Sequence, residues 1–126
     1  MKNQTTITRE NLKVLMTSFY MKTIDDQVLS HFFTNELGDD INNEEWTEHI
    51  ELLIEFWLAK ILGKNTYEGN VFGMHTRVQH ISKASFVRWM ELFTLTLDEV
   101  YVPEVASHFR DKAESISKQF IDFLKI

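Results

Sequence analysis

Residues 42–63 read NNEEWTEHIELLIEFWLAKILG, and this stretch decides the fold. Its large apolar side chains recur at steps of three and four residues, which places them on one face of a helix: Trp46, Ile50, Leu53, Trp57 and Ile61. Asn42 or Asn43 can cap the start of this helix, and Gly63 suits its C-terminal end. The stretch therefore predicts an amphipathic helix of about 20 residues, roughly 30 Å long.

Four more helical stretches flank this one on both sides. They begin, in order, at Thr8, at Asp25-Asp26, near Ser82 and at about Glu104. Gly38 ends the second of these stretches, and Pro103 ends the one that begins near Ser82. Glycine and proline together number only 5, from 4 Gly and 1 Pro, which disfavours a turn-rich sandwich or barrel. We therefore predict an all-α protein with a single domain spanning residues 1–126.

Composition excludes several classes of protein. The chain has no cysteine, so disulfide scaffolds, thiolate zinc sites and iron–sulfur clusters are excluded. Its net charge of -6 would repel a nucleic-acid backbone. There is no signal-peptide pattern at the start and no apolar run of about 20 residues. We expect a soluble, cytoplasmic, monomeric protein that contacts neither nucleic acid nor membrane.

Residues 64–81 break the helical pattern and carry two of the five histidines, His75 and His80. A long loop with histidines inside a helical protein is typical of a functional segment. No His-Glu-x-x-His pair is present, and no histidine has a glutamate three residues before it. Zinc-protease and di-iron sites are therefore disfavoured.

Aromatic residues make up 13% of the chain, and a haem site needs many of them but only one histidine. His75 is the candidate iron ligand, and His49 would face it from the long helix. Tyr20 and Trp89 lie on apolar stripes but carry hydrogen-bond donors. Spacing alone leaves the alternatives open: an ordinary loop histidine at 75, a solvated histidine at 49, and aromatic side chains that only fill a core.

Several short motifs, taken in order, resemble the truncated haemoglobins, and specifically their third group. They are Phe19-Tyr20, Phe33, Glu44-Glu45-Trp46-x-x-His49, Phe56-Trp57, Tyr67-x-Gly69, His75, and Phe86-x-x-Trp89-x-x-Leu92-Phe93. The resemblance covers the chain from about Leu12 to Tyr101. It implies a globin-like, two-over-two helical sandwich around a non-covalent haem b.

The resemblance also implies a role for each matching residue. His75 would be the proximal haem iron ligand, whereas Tyr20, Trp89 and His49 would lie on the distal side and stabilise a bound ligand. The remaining contacts to the haem would come from Phe33, Leu53, Trp57 and Phe86.

One stretch departs from the family pattern. Family members often carry prolines after the proximal histidine, whereas this chain has residues 76–81 without proline. His80 therefore remains a rival to His75 as the iron ligand. The sequence does not identify the propionate-binding groups; Arg77 and Lys64 are the candidates.

The resemblance implies a globin that binds O2, NO and CO at ferrous iron. Two distal donors would make O2 release slow, which favours chemistry over bulk transport. We therefore expect NO dioxygenase-like or peroxidase-like activity, which would need a separate reductase. Two alternatives remain open: a haem-free helical interaction module, and a haem-based gas sensor that acts through a partner.

Overall fold

The computed structural model describes residues 3–63 and 82–125, and for Leu62 only the backbone. Its regular elements are five helices: α1 (Arg9–Asp25), α2 (Ser30–Leu37), α3 (Glu44–Leu62), α4 (Lys83–Val100) and α5 (Pro103–Leu124). The predicted all-α class is therefore confirmed. Among the described residues, none of the helices is sufficiently long and apolar to cross a membrane.

The helix ends use the residues that the sequence indicates. The Thr8 hydroxyl accepts a hydrogen bond from the backbone N–H of Asn11 at 3.1 Å, and the Asn11 side chain accepts one in return. Ser82 and Ser85 form the same reciprocal pair at the start of α4, whereas the Asn43 side chain caps α3 by accepting from the backbone N–H of Trp46. Gly63 adopts the left-handed conformation, with φ 69°, directly after α3.

The predicted start of the second helix is wrong. Asp26 follows the end of α1, and α2 begins only at Ser30. The Asp26 Oδ2 atom accepts hydrogen bonds from the backbone N–H groups of Val28 at 3.0 Å and Leu29 at 3.1 Å. An aspartate side chain can accept from backbone N–H groups in a turn as readily as at the start of a helix. The Asp26 carboxylate therefore stabilises a turn between α1 and α2, which we call the α1–α2 corner.

The turn between α2 and α3 requires glycine at position 38. Gly38 has φ +83°, and a Cβ atom there would lie 3.0 Å from the side-chain nitrogen of Asn43. That same nitrogen donates to the Leu37 carbonyl at 2.8 Å. The indole of Trp46 donates to the Gly38 carbonyl, also at 2.8 Å. These bonds fix the first turn of α3, which places His49 relative to α2.

The helices pack as two pairs. One pair is α1 on α3 and the other is α4 on α5, and the pairs meet where α1 packs on α4 and α3 on α5. The largest fully buried side chains lie between the pairs: Leu12, Leu15, Met16, Phe19, Trp46, Ile54, Phe93, Leu97, Tyr101 and Phe109. This is the two-over-two arrangement that the resemblance implied.

The N-terminal segment is attached to the junction of α4 and α5. Gln4 forms an isolated parallel bridge with Tyr101. The buried hydroxyl of Tyr101 donates to the Asn11 side-chain oxygen at 2.7 Å. This hydrogen bond satisfies the Tyr101 hydroxyl within the structural core.

Candidate functional site

A cleft opens where the α1–α2 corner, α3, α4 and α5 meet. The unfilled space between its walls, part of which is open to solvent, is about 900 Å³. Its walls are mainly aromatic and aliphatic: Tyr20, Leu29, Phe32, Phe33, His49, Leu53, Phe56, Trp57, Ser85, Phe86, Trp89, Ile116, Ser117 and Phe120. A wide apolar slot of this kind suits a flat, apolar molecule.

The structure brings together every predicted site residue in the described part of the chain. Seven of them line this one cleft: Tyr20, Phe33, His49, Leu53, Trp57, Phe86 and Trp89. His75, the predicted iron ligand, lies outside the described residues, as do His80, Lys64 and Arg77. Their roles stay predictions.

Two hydrogen-bond donors meet inside the cleft. Tyr20 is only 4% exposed, and the Trp89 indole, which lines the same cleft, interacts with its phenol group. Burial raises the pKa of Tyr20 far above its ordinary value, and the weaker opposite effect of the Trp89 hydrogen bond does not offset this. Tyr20 is therefore a neutral phenol that keeps its proton and can donate it in a hydrogen bond.

Aromatic rings enclose Tyr20 on several sides. The ring centroids of Phe33, Trp46 and His49 lie 5.2, 5.3 and 5.6 Å from that of Tyr20. The Nε2 atom of His49 is buried, so this histidine turns toward the cleft and the solvated alternative is wrong. The phenol thus lies in a site that excludes water from most of its surface.

The second donor is held by ring stacking. Phe93 lies between the rings of Trp89 and Trp57, at centroid distances of 4.7 and 5.4 Å, with an interplanar angle of 19° to each. Phe19 contacts Trp89 edge-on at 5.4 Å. Such stacked and edge-on contacts fix the planes of the indoles.

The wall from α5 is one part of the site that sequence reasoning missed, and the other missed lining residues are Leu29, Phe32, Phe56 and Ser85. Ile116, Ser117 and Phe120 line the cleft, and the Phe120 ring stacks on Phe86 at 5.7 Å. Ile116 and Phe120 belong to an apolar stripe four residues apart, which was the available signal. A stripe does not distinguish side chains that fill a core from those that border a cleft.

The described residues fit a haem. Among residues 3–63 and 82–125, no group of three or more His, Asp or Glu side chains could hold a bare metal ion. The aromatic walls of the cleft suit a porphyrin ring. The neutral donors Tyr20 and Trp89 suit a polar diatomic ligand better than a cation.

Comparison with known proteins agrees with this geometry, although no family model matches the chain. A group 3 truncated hemoglobin, Ctb, of Campylobacter jejuni is 31% identical over 119 residues, which cover 94% of this chain and 92% of that protein. The crystal structure of a group III truncated hemoglobin from Campylobacter jejuni matches with a TM-score of 0.90 and 30% identity, covering 98% of this chain and 95% of the other. This chain therefore belongs to the group III truncated haemoglobins, a family of haem-binding globins.

Proposed function

We propose that this chain binds O2, and also NO and CO, at a ferrous b-type haem held in the cleft, with His75 as the iron ligand. The observation that carries the proposal is the meeting of two neutral donors, Tyr20 and Trp89, inside an apolar cleft. The curated relative and the crystal structure to which this chain is similar are both haemoglobins by name, which supports the cofactor. A bound haem would supply an iron that takes one imidazole and one diatomic ligand.

Different residues of the cleft would contact different parts of the cofactor. Phe33, Leu53, Trp57 and Phe86 would pack against the faces and edges of the macrocycle, which removes apolar surface from water. His49 would line the distal side, because its ring lies 5.6 Å from that of Tyr20 and its Nε2 atom is buried. None of these side chains carries a net negative charge that would oppose a ligand with negative charge on its outer atom.

Tyr20 and Trp89 would slow the release of a polar ligand. Each neutral hydrogen bond in a site shielded from water contributes about 1 to 3 kcal/mol. Because ~1.4 kcal/mol is a factor of ten in an equilibrium constant, the bond from Tyr20 would slow release by about tenfold or more, and a bond from Trp89 would add a similar factor if its single N–H turned from Tyr20 to the ligand. A protein that releases O2 this slowly suits NO/O2 or peroxide chemistry, with electrons from a separate reductase, rather than bulk transport.

The test is the rate of O2 release after Tyr20→Phe, measured by stopped-flow mixing with CO. The substitution removes the hydroxyl and leaves the ring, so we expect O2 release to speed up by about tenfold or more. The matched control is Tyr101→Phe, which removes the hydroxyl of a tyrosine equally buried but outside the cleft. Equal rates in wild type and Tyr20→Phe would contradict the proposed role.

A further inference from the structure

An ion pair between the buried carboxylate of Asp26 and the partly exposed guanidinium of Arg88 joins the α1–α2 corner to α4 beside the site. Both Nε and an outer nitrogen of Arg88 lie 2.8 Å from Oδ1 of Asp26, so the guanidinium grips one carboxylate oxygen with two N–H groups. The remaining outer nitrogen lies 3.2 Å from Glu91, one turn further along α4. The guanidinium is thus held at both ends.

The second oxygen of Asp26 holds the corner itself. Asp26 is only 8% exposed, and its Oδ2 accepts from the backbone N–H groups of Val28 and Leu29. Leu29 lines the cleft, and Phe32 and Phe33 follow it on α2. One carboxylate therefore connects a wall of the cleft to α4.

Arg88 directly precedes Trp89, the donor that α4 supplies to the cleft. Trp89 is only half-buried, so its own packing is less complete than that of Phe93, which is fully buried. The position of the indole relative to Tyr20 depends on where this turn of α4 lies against the end of α1. The Asp26–Arg88 pair holds the turn of α4 that carries Trp89 at a fixed distance from the end of α1.

We propose that Asp26 and Arg88 are positioning residues, which hold the first turns of α4 against the α1–α2 corner so that the Trp89 indole stays directed at the Tyr20 phenol. Neither residue lines the cleft, so both act through Trp89. The effect on ligand release rests on the proposed function, whereas the effect on the indole does not.

The test compares the Asp26–Arg88 ion pair with a second ion pair that also joins α4 to α1. Arg88→Met keeps the aliphatic part of the side chain and removes the ion pair. Asp26→Asn keeps an oxygen that can accept from the backbone N–H groups of Val28 and Leu29 but removes the charge that attracts Arg88. The matched control is Glu99→Gln, which removes the pair of Lys22 and Glu99 at 2.6 Å between α1 and α4. Glu99 lies eleven residues beyond Arg88, about 16 Å along the helix.

The first readout is the indole N–H signal of Trp89 in nitrogen-15 NMR spectra of the CO-saturated protein, assigned with Trp89→Phe. Arg88→Met and Asp26→Asn should each shift or broaden this signal. Arg88→Lys should give a signal nearer to its wild-type position, because lysine keeps the positive charge but cannot offer two N–H groups in the planar arrangement of a guanidinium. Glu99→Gln should leave the signal unchanged. If the purified protein takes up no haem, the same spectra of that protein still test the positioning.

The second readout is O2 release in a double-mutant cycle. Arg88→Met should speed release by about three- to tenfold when Trp89 is present and by less than twofold in the Trp89→Phe background, because residues that act through one another are not additive. An unmoved indole signal, or an equal effect in both backgrounds, would overturn the inference. Failure to bind haem would overturn the proposed function instead.

Discussion

At the scale of single residues, the site depends on polar groups placed inside an apolar enclosure. The Tyr20 phenol stays neutral because burial raises its pKa, and the Trp89 indole has no other protonation state in water. Neither donor changes charge at ordinary pH. Hydrogen bonds from these two donors therefore do not depend on titration of the donors themselves, and they depend on where the two rings lie.

Leu53 offers a direct test of whether the cleft holds the cofactor. Leu53→Trp fills space that the wild type leaves open, so we expect haem to dissociate about tenfold faster or more, by the usual cost of overpacking. The neighbouring Leu52→Trp serves as control, because Leu52 is 43% exposed and lies outside the cleft. The measurement is the rate of haem transfer to an excess of an apo-globin acceptor. Equal rates for both variants would place the cofactor elsewhere.

Some residues of the site and its surroundings could be predicted from the sequence, and others could not. Tyr20 and Trp89 could be singled out as donors on apolar helical stripes, where such residues commonly only fill a core, and the family resemblance gave each a role in the site. Asp26 and Arg88 could not be predicted, because they are 62 residues apart and each is an ordinary charged residue locally. Only the packing of α4 on the α1–α2 corner brings them together.

At the scale of elements, the α1–α2 corner determines one wall of the cleft. The apolar spacing indicates both helices, but the boundary between them depends on whether the Asp26 carboxylate caps a helix or closes a turn. Both uses satisfy backbone N–H groups close to the aspartate in sequence, so the local sequence favours neither. Arg88 on α4 adds two further contacts to this carboxylate, which the corner geometry allows.

This corner should weaken in acid. Burial disfavours the ionised form of Asp26, but hydrogen bonds from Arg88, Leu29 and Val28 and the charge of Arg88 outweigh burial and lower the pKa of Asp26 below its ordinary value of 3.8. A carboxylate with a lowered folded-state pKa stabilises the fold above the unfolded-state value, and this stabilisation is lost as the pH falls through the folded-state value.

The expected result is a pH-dependent difference between wild type and Asp26→Asn. Urea unfolding should show the largest loss of unfolding free energy in the variant above about pH 5, and the difference should narrow progressively below pH 3.8. Asp122→Asn, which removes an exposed carboxylate of α5, is the control for charge alone. A difference that stays constant from neutral pH into this acid range would show that the ion pair contributes no stability.

At the scale of the whole molecule, the cleft arises because two helix pairs and a short corner meet without filling the space between them. The scarcity of glycine and proline and the long apolar stripes were sufficient to predict an all-α fold. They could not show which stripe residues border open space, because that depends on the crossing of α3, α4 and α5. Phe120 and Trp57 look alike as stripe residues, yet only Trp57 could be assigned to the site from the sequence.

The most direct test of the account is a titration of the purified protein with haemin under reducing conditions, followed by its absorbance spectrum. The account predicts an intense Soret band that saturates at about one haem per chain, and a ligand spectrum that is lost in His75→Gly and restored by added imidazole. A protein that stays colourless, or a His75→Gly variant with the wild-type spectrum, would contradict the central claim that this cleft holds a haem on His75.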